Sequence, residues 1–512
     1  MKKPIKTVGS IFIIIMISKL LGQYRESVFA SLYGTGSESA AYMAASQIPL
    51  NFFDIILGMA IVSAFVPVFN EYRELKGEGE ANTFAGKFIG AVFLISFIVS
   101  VLGVVFSSTL IHIIVGGFAD DIDTAKLAST LLKILFPSMM FTAIAYCYAG
   151  ILQSYGEFKI PAAMSIVSNA VAIIYMFFLN SRFGIIGVAV SMLAGWILQL
   201  AILVIPLAKR HYKFNISLDF RDEGMKKVYK LALPIFLSSW VQPFNVMFNL
   251  HLASFLNDGQ AVSALSYANR LYLIIASVFT TSVTNVILPE LSRLFVQGEK
   301  KECAFITQNS VKAAILFLLP VTMLFVVFRV PIIEIIYQRG AFDSNSTYLT
   351  STALLYYSFG MLGYGIQEVM NKSFYSMQKS KIPMRTAFLT IAVNVVLSFV
   401  LSKFMGIGGL ALAASVAATA GGIVLMIFMK KENCLFSFKN IIICFVKGFI
   451  AVIASAIATV FVYNLIAFLS LKGILWKLGV LGICGIVCVV VYVAVLVLLK
   501  TEELMHLRRG NN

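Results

Sequence analysis

Apolar runs of twenty or more residues recur along this 512-residue chain from one end to the other. The hydrocarbon core of a bilayer is about 30 Å thick, and a helix of about 20 residues crosses it. Inside lipid the backbone must satisfy its own hydrogen bonds, which only helices and closed barrels do. Barrel strands alternate apolar and polar residues over about ten positions. The runs here are longer and uniformly apolar, so they predict helices. Composition supports the same class, because 12% of the residues are charged, about half the quarter typical of soluble domains. Most of the surface must then face something other than water. The expected fold is an all-α polytopic membrane protein.

Segmentation gives fourteen transmembrane helices, near 8–33, 39–70, 84–114, 125–154, 160–180, 184–208, 227–256, 260–292, 304–337, 345–376, 382–402, 407–429, 439–468 and 474–499. The formal charge of +16 could suggest a nucleic-acid partner, but the basic residues sit in short loops between spans. Lys2, Lys3 and Lys6 precede span one, and Arg73 and Lys76 follow span two. The 209–230 connection carries seven basic residues, Lys209, Arg210, Lys213, Arg221, Lys226, Lys227 and Lys230. Every second loop is basic, whereas loops such as 34–38 and 257–261 carry no Lys or Arg. This is the pattern of cytoplasmic loops. It predicts an inner-membrane protein with both termini cytoplasmic and no nucleic-acid partner. The first apolar stretch is followed by Lys19, Arg25 and Glu26 rather than a small-residue cleavage site, so it reads as a retained span and not a signal peptide.

The chain repeats itself at an offset of 222 residues. Lys159-Ile160-Pro161 recurs as Lys381-Ile382-Pro383, Gly184 as Gly406, and Pro67 as Pro289. The offset covers six spans, an even number, so both copies run the same way through the membrane. The expectation is two parallel six-helix repeats, 1–210 and 227–431, joined by a cytoplasmic linker at 211–226. Two further helices and a short tail follow over 432–512. In transporters built this way the substrate site lies near the midplane between the halves.

Polar residues inside spans are the candidates for function, since an ionisable side chain at mid-bilayer costs about 2.5–3.5 kcal/mol even on the lenient insertion scale. Ser18, Gly22 and Arg25 share one face of span one by their spacing, and Lys19 lies beside them. Span two carries Gln47, Asn51, Asp54 and Gly58 on one face. Span seven shows Ser238, Gln242, Asn245 and Asn249, and span eight shows Ser263, Tyr267, Arg270, Ser277, Thr281 and Thr284. Stripes of Asn, Gln and Ser serve equally as interhelical glue. Arginine differs, because its guanidinium stays charged and forks onto phosphate oxygens. Arg25 and Arg270 are therefore read as substrate contacts in preference to structural pairs with Glu26 or Asp54. Lys19, Asp54, Asn51, Gln242 and Asn245 complete the candidate substrate-binding set. Glu368 and Lys372, four residues apart, read as an internal pair.

The chain has no GxxxxGK[ST] phosphate loop, no HExxH, no GxSxG and no cysteine or histidine spacing that suits a metal. Cys484 and Cys488 read as core filler. The acidic cluster Asp120-Asp121-Ile-Asp123 falls on the outer side of this topology, away from nucleotide sugars. An enzyme, a metal and a cofactor are not expected.

Several segments together resemble the MurJ/MviN family of lipid II flippases. Ser18-Lys-Leu-Leu-Gly-Gln-Tyr-Arg25-Glu26 resembles its opening motif. Ala64-Phe-Val-Pro-Val68 with Glu71-Tyr72, Gly117-Phe-Ala-Asp120, Tyr267-Ala-Asn-Arg270-Leu271, Ile287-Leu-Pro289-Glu-Leu-Ser292 and Tyr337-Gln-Arg-Gly-Ala-Phe-Asp343 are similar to further ones. The resemblance runs from about residue 8 to residue 430. It implies the fourteen-helix fold of the multidrug/oligosaccharidyl-lipid/polysaccharide exporter superfamily and a cationic cavity for a pyrophosphate-sugar headgroup. The implied function is flipping of the undecaprenyl-pyrophosphate-linked peptidoglycan precursor by alternating access. Implied partners are this lipid-linked glycan precursor, membrane lipids and the cell-wall synthesis machinery. The chain departs from the family pattern at Lys19, which stands for an arginine, and at Phe53 and Asp54, which stand for an arginine pair. Ala40 and Gly58 stand where the family has acidic residues. Another undecaprenyl-linked oligosaccharide, or a cation-coupled drug, stand as alternative cargoes.

Overall fold

The computed structural model describes residues 2–50, 61–210, 212, 217–219, 221–239, 241–432, 435–467 and 473–501. Among the described residues the chain is helical, with no strand. It divides into two compact units, residues 1–263 and 264–512.

The first unit opens with α1 (Lys2–Tyr33), α2 (Ser37–Pro49), α3 (Val66–Leu75), α4 (Glu78–Val105) and α5 (Ser107–Ile114). It continues with α6 (Ile122–Leu135), α7 (Ser138–Ser154), α8 (Lys159–Phe178), α9 (Asn180–Lys209), α10 (Glu223–Ser239) and α11 (Val241–Ser254). Helix α12 (Gln260–Val296) carries the chain into the second unit. There follow α13 (Lys300–Val327), α14 (Arg329–Ile336), α15 (Ser344–Phe359), α16 (Met361–Ser376), α17 (Lys381–Met405) and α18 (Ile407–Glu432). The last two are α19 (Phe438–Ala467) and α20 (Ile474–Leu498).

The repeat read from three sequence landmarks extends to the backbone. Helices α4 and α13 have the same bounds shifted by 222 residues, and so do α5 and α14. Gly184 has φ 56° and ψ −150°, and its counterpart Gly406 has φ 54° and ψ −129°. Each breaks the path between two consecutive spans in a region open mainly to glycine. Gly156 and Gln378, again 222 apart, both have positive φ.

Even the helix caps repeat. The Asp121 carboxylate accepts the Thr124 N–H at 3.1 Å at the start of α6, and the Asp343 carboxylate accepts the Ser346 N–H at 2.7 Å at the start of α15. Hydrogen bonds from the Thr124 hydroxyl and N–H hold the Asp121 carboxyl below its usual range, and those from Ser346 do the same for Asp343. Replacing either by alanine should cost about 1 kcal/mol, the usual worth of such a cap. The check is the thermal midpoint of the detergent-purified protein. Because both carboxyls are lowered in the folded state, their contribution is complete above the unfolded value of about 3.9. It is lost as pH falls through the folded value, so the alanine variants should converge with the parent in acid.

Nine helical segments among the described residues are long and apolar enough to cross a membrane. They correspond to nine of the fourteen expected spans. The other five are spans one, two, seven, eight and ten, and four of these five are the spans assigned the polar stripes. Span two runs into residues 51–60 and span seven crosses residue 240, which lie outside the described residues. Span ten is two helices of 16 residues each, α15 and α16, meeting at Gly360.

On the half of α4 after Val92, burial is inverted relative to a soluble protein. On α4 the buried residues include Ser96, Ser100 and Gly103, while Phe97, Val101, Leu102 and Val105 are exposed. The Ser100 hydroxyl donates to the Phe136 carbonyl at 3.2 Å, and a Cβ on Gly103 would lie 2.3 Å from the Phe136 ring. Small residues let helices approach where lipid offers no hydrophobic drive, and the apolar side chains are left to face acyl tails. In the second unit Cys484 and Cys488 are fully buried on α20, as the filler role predicts.

The first unit also has an aromatic base. Phe65 stacks on Phe88 at 4.5 Å between ring centres, and Tyr72 stacks on Phe84 at 4.7 Å. Met225 and Val228 of α10 are buried in this cluster. Lys87 bonds Asp222 at 2.9 Å and Asp219 at 3.0 Å, and Lys227 bonds Glu71 at 2.5 Å. These contacts seat the basic connection and the start of span seven on α3 and α4. They explain why the compact first unit extends to residue 263, whereas the repeat assigns residues 227 onward to the second copy.

Candidate functional site

Arg25 lies on α1, seven residues after Ser18, on the face read from the sequence. That face packs against α8 and α9. The Ser18 hydroxyl donates to the Ala162 carbonyl at 3.3 Å, and a Cβ on Gly22 would meet the Asn169 amide at 3.6 Å. Ser18 and Gly22 therefore act as helix-packing residues.

Arg25 forms an ion pair with the adjacent carboxylate of Glu26 and directs a second nitrogen to the Met192 sulfur at 3.4 Å. The side chains of Arg25 and Glu26 are 16% and 7% exposed. The pair carries no net charge, which is how a guanidinium can persist this deep. An anion arriving at Arg25 has to share it with Glu26. The arginine still has donors to offer, because a guanidinium has five N–H bonds.

Lys19 is half-buried on α1 and takes part in an interaction within the protein. The same holds for Asn245 and Asn249 on α11. Gln242 lies on the same helix, its side chain outside the described set. Asn51, Asp54 and Gly58 fall outside the described residues. Gln47 is half-buried near the end of α2, and Ala40 is fully buried.

Arg270 belongs to the second unit, half-buried on α12 and engaged within the protein. Two residues on, Tyr272 is buried in an aromatic group. It stacks on Tyr357 at 5.6 Å and meets Tyr364 edge-on at 5.9 Å. Glu368 lies one turn beyond Tyr364 on α16, four residues before Lys372. Tyr267 of α12 is buried against Tyr337 at 5.0 Å and Phe342 at 5.7 Å. Thus α12 presents Arg270 between two aromatic contacts that fix the helix. Nothing in the spacing of Tyr272, Tyr357 and Tyr364 signalled this group, since isolated tyrosines in apolar runs carry no period of their own.

A family model described as lipid II flippase MurJ matches residues 29–480. The chain belongs to the lipid II flippase MurJ family. That family is one of transporters rather than catalysts. The chain is 28% identical over 506 residues to a probable lipid II flippase MurJ of Rhizobium tropici, covering 96% of this chain and 94% of that one. A probable lipid II flippase MurJ of Buchnera aphidicola subsp. Schizaphis graminum (strain Sg) is 28% identical over 416 residues, 81% of each chain. Among solved structures, a lipid II flippase MurJ in an inward closed conformation matches with a TM-score of 0.80 and 27% identity, covering 96% of this chain and 99% of that one. An inward-facing multidrug resistance transporter of the MATE family and MOP superfamily matches with a TM-score of 0.71 at 14% identity, covering 83% of this chain and 98% of that one. That second likeness is one of fold. The resemblance read from the short motifs is borne out over most of the chain.

Proposed function

We propose that this protein moves lipid II, the undecaprenyl-pyrophosphate-linked peptidoglycan precursor, from the inner to the outer leaflet of the bacterial inner membrane by alternating access. The observation that carries the reading is the family match over residues 29–480. Arg25, held on the first span beside Glu26, and Arg270 are the proposed anchors of the pyrophosphate. Lys19, Asp54, Asn51, Gln242 and Asn245 are the further proposed substrate contacts. The division at 211–226 separates the two rocking lobes, and the cell-wall synthesis machinery receives the flipped precursor. With no phosphate loop in the chain, the membrane potential or an ion gradient drives the cycle. The likeness to the MATE transporter supplies a fold and no cargo, and no contact described above favours a drug.

The direct test is replacement of the lipid II flippase in a depleted bacterium. Expression of this chain should restore growth and normal shape. Lysis despite normal membrane levels would refute the cargo. Orientation is tested alongside. In intact cells an impermeant thiol reagent should label a cysteine placed at Gly36, and it should reach one at Asn215 only after permeabilisation.

A further inference from the structure

Both repeats make the same turn between their fourth and fifth spans, and each closes it with an ion pair. In the first copy the Gly156 N–H donates to the Gln153 carbonyl at 2.9 Å, and the Glu157 N–H to the Leu152 carbonyl at 2.9 Å. In the second copy the Gln378 N–H donates to the Tyr375 carbonyl at 3.0 Å, and the Lys379 N–H to the Phe374 carbonyl at 2.9 Å. Gly156 and Gln378 hold φ of 81° and 58°. Each turn then pairs with the end of the next helix but one. Glu157 binds Arg210, just past α9, at 2.9 Å. Lys379 forms an ion pair with Glu432, the last residue of α18. Positions 157 and 379 are 222 apart, and so are 210 and 432. The geometry is kept, and both signs are reversed.

Local electrostatics accounts for the first copy only. A helix favours an anion near its N-terminus and a cation near its C-terminus. Glu157 precedes α8 by two residues and Arg210 caps the end of α9, so both signs agree with the helix dipoles. Lys379 precedes α17 by two residues and Glu432 ends α18, so both signs oppose them. The nearer lysines, Lys430 and Lys431, lie over the Phe438 and Phe428 rings at 5.8 and 5.9 Å. All four paired side chains are partly exposed, 42% and 42% in the first copy and 35% and 37% in the second. Ion pairs open to water add little to stability, so stability does not account for the reversal.

What the reversal changes is the crossed combinations. Two copies of one fold in a chain can exchange equivalent parts, and such misassembly is a characteristic failure of repeat proteins. With these signs the crossed pairs are Glu157 with Glu432 and Lys379 with Arg210, both like-charged. Had the second copy kept the signs of the first, the crossed pairs would attract as the true ones do. Repulsion in the wrong pairing is a common way to tell similar partners apart. We propose that Glu157–Arg210 and Lys379–Glu432 form a charge code that keeps each repeat's turn on its own helix end while the chain assembles. The code rests on the repeat and is independent of the cargo.

Two full-length variants separate the code from a merely stabilising role. Lys379→Glu with Glu432→Arg gives the second copy the signs of the first. Every true pair then remains attractive, and both helix ends of the second copy gain a favourable charge. If the pairs only stabilise, this variant should match or exceed the parent in thermal midpoint and in yield of folded monomer. The code predicts several-fold less monomer on size exclusion in detergent at equal expression, with dimers and aggregates in its place. The monomer that is recovered should melt no lower than the parent.

The second variant adds Glu157→Lys and Arg210→Glu to the first. This exchanges the signs between the copies and makes both crossed pairs repulsive again. It should recover the parent's monomer yield although it carries twice as many changes. An undiminished yield in the first variant, or no recovery in the second, would overturn the code.

Discussion

Alanine at Arg25 or at Arg270 should abolish flipping while the protein still reaches the membrane. A hydrogen bond to a charged group contributes about 1.5–3 kcal/mol, and each 1.4 kcal/mol is about tenfold in an equilibrium. Loss of a bidentate contact at one arginine therefore costs about a hundredfold or more in occupancy of the productive complex. Lysine keeps the charge and loses the fork, so Arg25→Lys should be partly active. Lys19→Arg, which restores the family residue, should be tolerated. The Arg25–Glu26 pair allows a sharper separation of roles. Removing Arg25 alone strands a nearly buried carboxylate, and stranding one partner of a buried pair costs about 3–5 kcal/mol. A fall in membrane level after Arg25→Ala would thus be ambiguous by itself. Adding Glu26→Ala removes the stranded charge. If Arg25 holds cargo, the double variant should recover its membrane level and stay inactive. If Arg25 serves only to neutralise Glu26, flipping should return with the level. Complementation scored against quantified membrane protein distinguishes the two.

The fold was legible where it depends on period and spacing. Long apolar runs set nine of the fourteen expected spans, and the offset of 222 foretold the paired bounds of α4 with α13 and the paired glycines 184 and 406. The site was legible in kind more than in detail. Spacing of i, i+4 and i+7 correctly places Ser18, Gly22 and Arg25 on one face of α1. It does not say what the face meets, and here it meets Ala162, Asn169 and Met192, residues about 140 to 170 positions away. Side-chain pairing on helices is read from residues three or four apart. Glu26, one position from Arg25, is outside that spacing; the sequence reading set a pair between them second to a substrate contact, and the structure shows the pair formed. The close contact at Gly117 was hidden for another reason. Gly116 and Gly117 look like ordinary loop glycines, and only the approach of the Ser254 backbone shows why no side chain fits there.

The second large effect is expected in the second unit, at the crossing of α16 and α18. A Cβ on Gly363 would lie 2.5 Å from the Thr419 Cα and 2.7 Å from its nitrogen. A Cβ on Gly360 would lie 2.6 Å from the Ser415 Cα. The Ser415 hydroxyl donates to the Tyr356 carbonyl at 2.6 Å, tying α18 to the end of α15. At Gly363 the obstacle is backbone, so an added methyl must push the helices apart. In lipid, close packing is much of what holds helices together, and that loss is not offset by hydrophobic burial elsewhere. Gly363→Ala should cost about 1–3 kcal/mol, the range for over-packing, and Gly363→Leu more. By contrast, Gly482 and Gly485 on α20 have nothing within 4 Å of an added Cβ. Alanine at either should leave stability unchanged or raise it by up to about 1 kcal/mol through helix propensity. Function should fall faster than folding at Gly363. Helix α16 carries Tyr364, whose ring meets Tyr272, and Tyr272 lies two residues from Arg270 on α12. Displacing α16 therefore loosens the support of the proposed anchor before the unit unfolds. The measurement pairs thermal midpoints in detergent with flipping per folded molecule for Gly363→Ala, Gly363→Leu and Gly482→Ala. A parent-like midpoint and parent-like flipping in Gly363→Leu would show that the helices can part there without harm, and the packing account of the second unit would fail.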